Sequence, residues 1–162
     1  MKLSKNFSLD EFVLCAGVVV DATPEQLFCL NILCNNILQP IRDKFGPMRI
    51  TSGLRNQICN ELLISKGYPA SKTSDHLAWC TANPKGTGAA DFTCSSKTLD
   101  VFHWIQLNIM NQIGQVIYYS DKDFIHVSNR FSNIFRMPDT RLETTRILIH
   151  KNGKFIPYKI KK

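Results

Sequence analysis

An α+β domain is predicted by three features of the chain: helix-starting signals crowd its first third, short apolar runs with two-residue alternation follow, and turn residues separate them. Ser8 and Glu11 have the spacing of a capping box, and Thr23, Pro24 and Gln26 repeat the signal with proline at the first helical position. Two helices should begin there. The second carries Leu27, Leu30, Cys34, Ile37, Leu38, Ile41 and Phe45 on one stripe, stops at Gly46 and Pro47, and should kink at Pro40. Met48 to Ser52 reads as a strand ended by Gly53, and Asn56 can cap a short helix containing Asn60, Leu62, Leu63 and Ile64. The stretch from Gly67 to Thr87 is irregular and turn-rich.

Ala89 to Thr93 then reads as a strand, Thr98 to Met110 as an amphipathic helix, and Gln115 to Tyr119 with Phe124 to Ser128 as a hairpin across Ser120, Asp121 and Lys122. Leu142 to His150 and Lys154 to Tyr158 form a last hairpin around Asn152 and Gly153. There are no internal repeats or linkers, so residues 1–162 make a single domain, with N-terminal helices packed on a mostly antiparallel sheet.

At 162 residues and 44% hydrophobic content the chain can bury a core of its own. No apolar run approaches the roughly 20 residues that a membrane helix needs. Charge interrupts MKLSKNFSLDEF before a signal-peptide core can form, so no membrane association and no export by general secretion are expected. Six cysteines lie mostly in apolar helical stretches without a CxxC pair, which favours small hydrophobes in a reducing compartment. The net charge of +7 favours an anionic partner, either nucleic acid or a polyanionic cell envelope. No Gly-rich loop, basic helix or arginine-interleaved aromatic cluster supports nucleic acid.

His76 in SDHLAW, Asp91 in GAADF and His126 in DFIHVS each occupy a short apolar context, the first in a loop and the others on predicted strands. They can converge on one face of a sheet. Imidazole and carboxylate suit zinc, and a hydrolytic zinc keeps one position for water while an acidic group handles the proton. Asp123, three residues before His126, is the candidate for that acid, although a carboxylate there also suits an ordinary hairpin turn. His103 and His150 read as core or surface residues, and Trp79 as an aromatic near the cleft.

With these residues in place the chain resembles a known family. LSKNFSLDEF, ILQPIRDKFG, ITSGLRN, SDH, GAAD and IHVS follow in the order seen in the zinc peptidases of the D-alanyl-D-alanine carboxypeptidase group, whose superfamily includes phage L-alanyl-D-glutamate endolysins. The small phage-encoded members are the most similar, and the resemblance spans roughly residues 3 to 130. It implies that His76, Asp91 and His126 ligate Zn²⁺, that Ser74 matches the serine of the family's SxH motif, and that Arg55 orients the substrate near the metal. Arginine suits that task because its planar fork holds a carbonyl or carboxylate with two hydrogen bonds.

Two departures from the family stand out. Fourteen residues separate His76 from Asp91, more than is usual, so AWCTANPKG looks inserted beside the metal, and Thr87 replaces an expected glycine. That loop can shape the cleft, or bring Cys80 in as a fourth ligand and close the site. Tyr119 also stands where many short relatives carry a glutamate, while Asp123 satisfies the version with an acid three residues before the last histidine. The resemblance implies a monomeric metallopeptidase that cuts a peptidoglycan stem peptide and acts on the wall after release from a bacterial host cytoplasm. The rival is a non-catalytic zinc-containing or wall-binding protein on the same fold.

Overall fold

Strand alternation organises the molecule around one sheet with an apolar face and a polar face. The computed structural model describes residues 1–80, 86–129 and 146–158. Six strands, β3 (Met48–Ser52), β4 (Ala89–Cys94), β5 (Ile113–Tyr119), β6 (Phe124–Asn129), β7 (Arg146–Lys151) and β8 (Lys154–Pro157), lie in the order β3-β4-β6-β5-β7-β8. All neighbours are antiparallel except β5 and β7, which pair in parallel. The fold is therefore α+β with a mostly antiparallel sheet, as the sequence implies.

Ala90, Phe92, Val116, Ile125 and Val127 point to the apolar face and are sealed in the core. Against it pack α1 (Pro24–Leu33), α2 (Gln39–Phe45) and α4 (Thr98–Asn108), which contribute Leu30, Leu33, Ile41, Val101, Phe102 and Ile105. The expected kink at Pro40 takes a specific form: a π-helical turn, Cys34–Leu38, separates α1 from α2, and Pro40 falls in the first turn of α2. Proline has no N–H to give and crowds the carbonyl four residues back, so the widened turn accommodates it.

The capping box at Thr23 forms in both directions, Thr23 N–H to Gln26 Oε1 at 3.1 Å and Gln26 N–H to Thr23 Oγ1 at 3.3 Å. The box at Ser8 starts only a 3₁₀ turn, Leu9–Glu11, rather than a full helix. The chain turns instead into a two-stranded hairpin, β1 (Leu14–Cys15) and β2 (Val18–Val19), across Ala16 and Gly17, both with positive φ. Helix α3 (Gln57–Ser65), capped by Asn56, follows β3, and its Cys59 thiol reaches the Cys15 carbonyl at 3.5 Å.

The last hairpin forms between β7 and β8, while residues 142–145 of its expected first strand lie outside the described residues. Among the described residues, no helix is long and apolar enough to cross a membrane.

Candidate metal centre

The second face of the same strands builds a cleft of about 1030 Å³. Asp91 of β4 pairs directly with His126 of β6, and Ser52 at the end of β3 pairs with Asp91, so three neighbouring strands present these side chains side by side. A register shift between Ile50 and Ser52 brings both Thr51 and Ser52 to the cleft.

His76 arrives from outside the sheet, in a 3₁₀ turn, Asp75–Leu77, that Ser74 caps by accepting the His76 N–H at 3.4 Å. Three contacts fix that turn. The Arg55 N–H donates to the His76 carbonyl at 2.8 Å, Gln26 Nε2 donates to the Leu77 carbonyl at 3.0 Å, and Thr87 Oγ1 donates to Asp75 Oδ1 at 3.0 Å. Thr87 thus ties the start of the segment leading to β4 back to the turn that carries His76.

His76 Nδ1 donates to the Gly53 carbonyl at 2.7 Å. A carbonyl can only accept, so the proton sits on Nδ1 and the Nε2 lone pair faces the cluster. Gly53 is required there, because a Cβ would stand 2.5 Å from the Phe12 carbonyl oxygen. His76 Nε2 lies 3.2 Å from His126 Nδ1 and 3.3 Å from Asp91 Oδ1, and His126 Nδ1 lies 2.8 Å from the same oxygen. Ligands about 2.0–2.1 Å from a tetrahedral ion stand about 3.3 Å apart, so the donor set fits one small metal ion. Among the described residues these three form the one His/Cys/Asp/Glu group able to hold a metal.

Electrostatics favours the ligating protonation states. Burial pushes the His76 imidazole down from its ordinary value, which favours the neutral form a metal needs. For Asp91 burial works against ionisation, but its contacts with the His76 and His126 imidazoles outweigh burial and hold the carboxyl well below its usual range. Arg55, itself buried, places Nη2 3.6 Å from Asp91 Oδ2 and donates to Ser52 Oγ at 3.0 Å.

The structure thus brings together His76, Asp91, His126 and Arg55, with Ser74 on the cleft wall. It does not bring Asp123. That residue sits in an exposed turn with φ of 51°, and its carboxylate accepts a hydrogen bond from Tyr118 Oη at 3.4 Å. Tyr118 pairs with Ile125 and packs on Phe102 of α4, so Asp123 belongs to the helix side of the sheet and Phe124 and His126 to the cleft side. Two residues per strand repeat is the reason: an offset of three from His126 reverses the face. Cys80 is half-buried and outside the metal-binding group, and Trp79 packs against the core rather than lining the cleft. Residues 81–85 lie outside the described residues.

Phe124, His150 and Phe155 line the cleft without having been anticipated from the sequence, whereas Tyr119 was read there as the residue in place of a glutamate. Counting by twos from His126 along β6 finds Phe124, and the hairpin partner of Phe124 is Tyr119. His150 is found only by knowing that β7 pairs with β5 in parallel, which sets Tyr119 opposite His150. Burial first, then the Asp91 charge, pushes the Tyr119 phenol up to about 12, so it remains a hydrogen-bond donor at neutral pH. His103 lies elsewhere, with Nε2 2.8 Å from Tyr158 Oη. No family model, curated protein or solved structure matches the chain.

Proposed function

We propose that the protein is a zinc-dependent peptidase acting on the stem peptide of peptidoglycan. The observation that carries the reading is the His76–Asp91–His126 set lining an open cleft with a buried arginine at its side. Zinc held there by two imidazoles and a carboxylate would polarise a scissile carbonyl and activate water. Arg55, fixed by Ser52 and Asp91, can receive a substrate carboxylate or carbonyl, and the Tyr119 hydroxyl can donate to oxygen that gains charge during reaction. Among the described residues lining the cleft the carboxylates are Asp75 and Asp91. With Asp91 in the metal set, Asp75 is the acid left to move a proton, in place of Asp123.

A second reading, binding of the wall peptide without turnover, is favoured by the same placement of Asp123 on the helix side and by Tyr119 in the cleft position where many relatives carry glutamate. Incubation of the zinc-loaded protein with defined stem peptides, with and without chelator, separates the two. Hydrolysis that stops on chelation, returns with zinc and falls about a hundredfold in Asp75→Asn with zinc content unchanged is the expected result. Zinc-dependent binding with no new amine released would establish the second reading, and no binding at all would remove both.

A further inference from the structure

The cleft wall has two chemically distinct parts, which meet at Tyr119, two residues along β5 from the partner of His126. One holds the metal-binding set and Arg55, and with them both carboxylates, Asp75 and Asp91, that line the cleft among the described residues. The other is aromatic. Tyr119 stacks on Phe124 at 4.2 Å between centroids and 11° between planes, and the His150 ring lies 4.8 Å from Tyr119. Phe155 stands edge-on to both, 4.8 Å from His150 and 6.1 Å from Tyr119. Alternation explains the convergence: Phe124 and His126, Ile117 and Tyr119, and Leu148 and His150 are pairs two residues apart on adjacent strands, all lining one cleft. Arg146 and Lys122 line the same cleft and supply positive charge.

Half of this wall, His150 and Phe155, comes from the β7–β8 hairpin, which lies beyond the residues that carry the family resemblance. A wall of this chemistry has little use for a stem peptide. Such peptides are made of alanine, glutamate and a diamino acid, none of which offers a ring or a large apolar face. The amino sugar to which the stem is attached does offer one, with C–H groups on its faces and hydroxyl and amide groups at its edge. Aromatic planes can take the faces, while imidazole, phenol and cationic side chains take the polar edge. Phe155 remains 47% exposed, so its ring is open to a ligand.

We propose that Tyr119, Phe124, His150 and Phe155 form a sugar subsite, so that the protein recognises a muropeptide, a stem peptide still joined to its muramic acid, in preference to the free peptide. This rests on the peptidoglycan reading above. The test is calorimetric titration of the zinc-loaded protein and of its Phe155→Ala and Phe155→Trp variants with two probes, N-acetylmuramyl-L-alanyl-D-isoglutamine and the acetylated dipeptide lacking the sugar. Circular dichroism checks that each variant is folded.

The sugar-bearing probe should bind the wild-type protein about tenfold more tightly. Phe155→Ala should remove that advantage and Phe155→Trp should keep it, with the affinity for the bare dipeptide unchanged in both. Equal affinity of the two probes for the wild-type protein, or an advantage that survives Phe155→Ala, overturns the subsite and leaves the peptidoglycan reading standing. Failure of both probes to bind overturns the two together.

Discussion

Ile125 and His126 are consecutive residues of one strand, yet the first is sealed in the apolar core and the second reaches into an open cleft beside a carboxylate. The same division separates Ala90 and Phe92 from Asp91, and Val116 from Ile117 and Tyr119. One set of alternate positions supplies the burial that stabilises the sheet, and the other set is free to carry chemistry. Helices α1, α2 and α4 cover the first face, while α3 contributes Leu63 to the cleft wall. A pair of candidate metal ligands that are direct cross-strand neighbours is then held by two backbones whose spacing the core has already fixed.

The two faces should therefore fail separately. Phe92→Ala empties a fully buried ring site on the core side and should cost about 3–5 kcal/mol of stability in denaturant unfolding. The metal affinity of the molecules that remain folded should not change, because the adjacent Asp91 points the other way. A Phe92→Ala protein that is stable but has lost its metal would break the comparison.

His126→Ala is the converse change, on the cleft side. It removes one of three donors and should weaken metal binding by about a hundredfold or more, with unfolding of the metal-free protein shifted far less than by Phe92→Ala. Metal titration and urea unfolding of the same sample measure both quantities.

Acid should sharpen the division further. His76 is buried in its neutral form, so its folded pKa lies below the ordinary 6.5 while the unfolded chain takes up the proton normally. Its contribution is present in full above that pH and is lost as pH falls toward the lowered folded value. Asp91, whose carboxyl is also held down, loses its contribution in the same direction at more acid pH. The metal-free protein should lose stability with falling pH at up to about 1.4 kcal/mol per pH unit for each proton. A His76→Gln variant should show a shallower slope below neutral pH.

The smallest effect belongs to Asp123. Asp123→Asn keeps a side chain that tolerates the positive φ of 51° on the exposed turn, and stability, metal content and hydrolysis should all stay close to wild type, within about 0.5 kcal/mol. A large loss of hydrolysis with zinc retained would return Asp123 to the site.

The fate of Asp123 shows what the sequence could carry. Most of the helix and strand order, the α+β arrangement and the convergence of His76, Asp91 and His126 were legible because each rests on local signals, caps, alternation and motif order. Asp123 was misplaced by its nearness to His126 in the chain, although alternation alone assigns it to the other face. Gln26 illustrates a different limit: its capping role is local and readable, whereas its hydrogen bond to the Leu77 carbonyl spans fifty-one positions and requires the fold. The hairpin near Ala16 and Gly17 replaced an expected helix because the capping box marks where a helix can start, not how far it runs. The aromatic part of the cleft wall was hidden for a topological reason, since nothing local in RILIHK says that it pairs in parallel with QVIYY.

Everything on the cleft side depends on a metal between His76, Asp91 and His126. The direct measurement is titration of the chelator-stripped protein with zinc, in wild type and in Asp91→Ala, followed by calorimetry and by elemental analysis after desalting. One equivalent of zinc retained by the wild-type protein and none by Asp91→Ala is the expected result. Zinc absent from the wild-type protein, or retained equally by the variant, would contradict it.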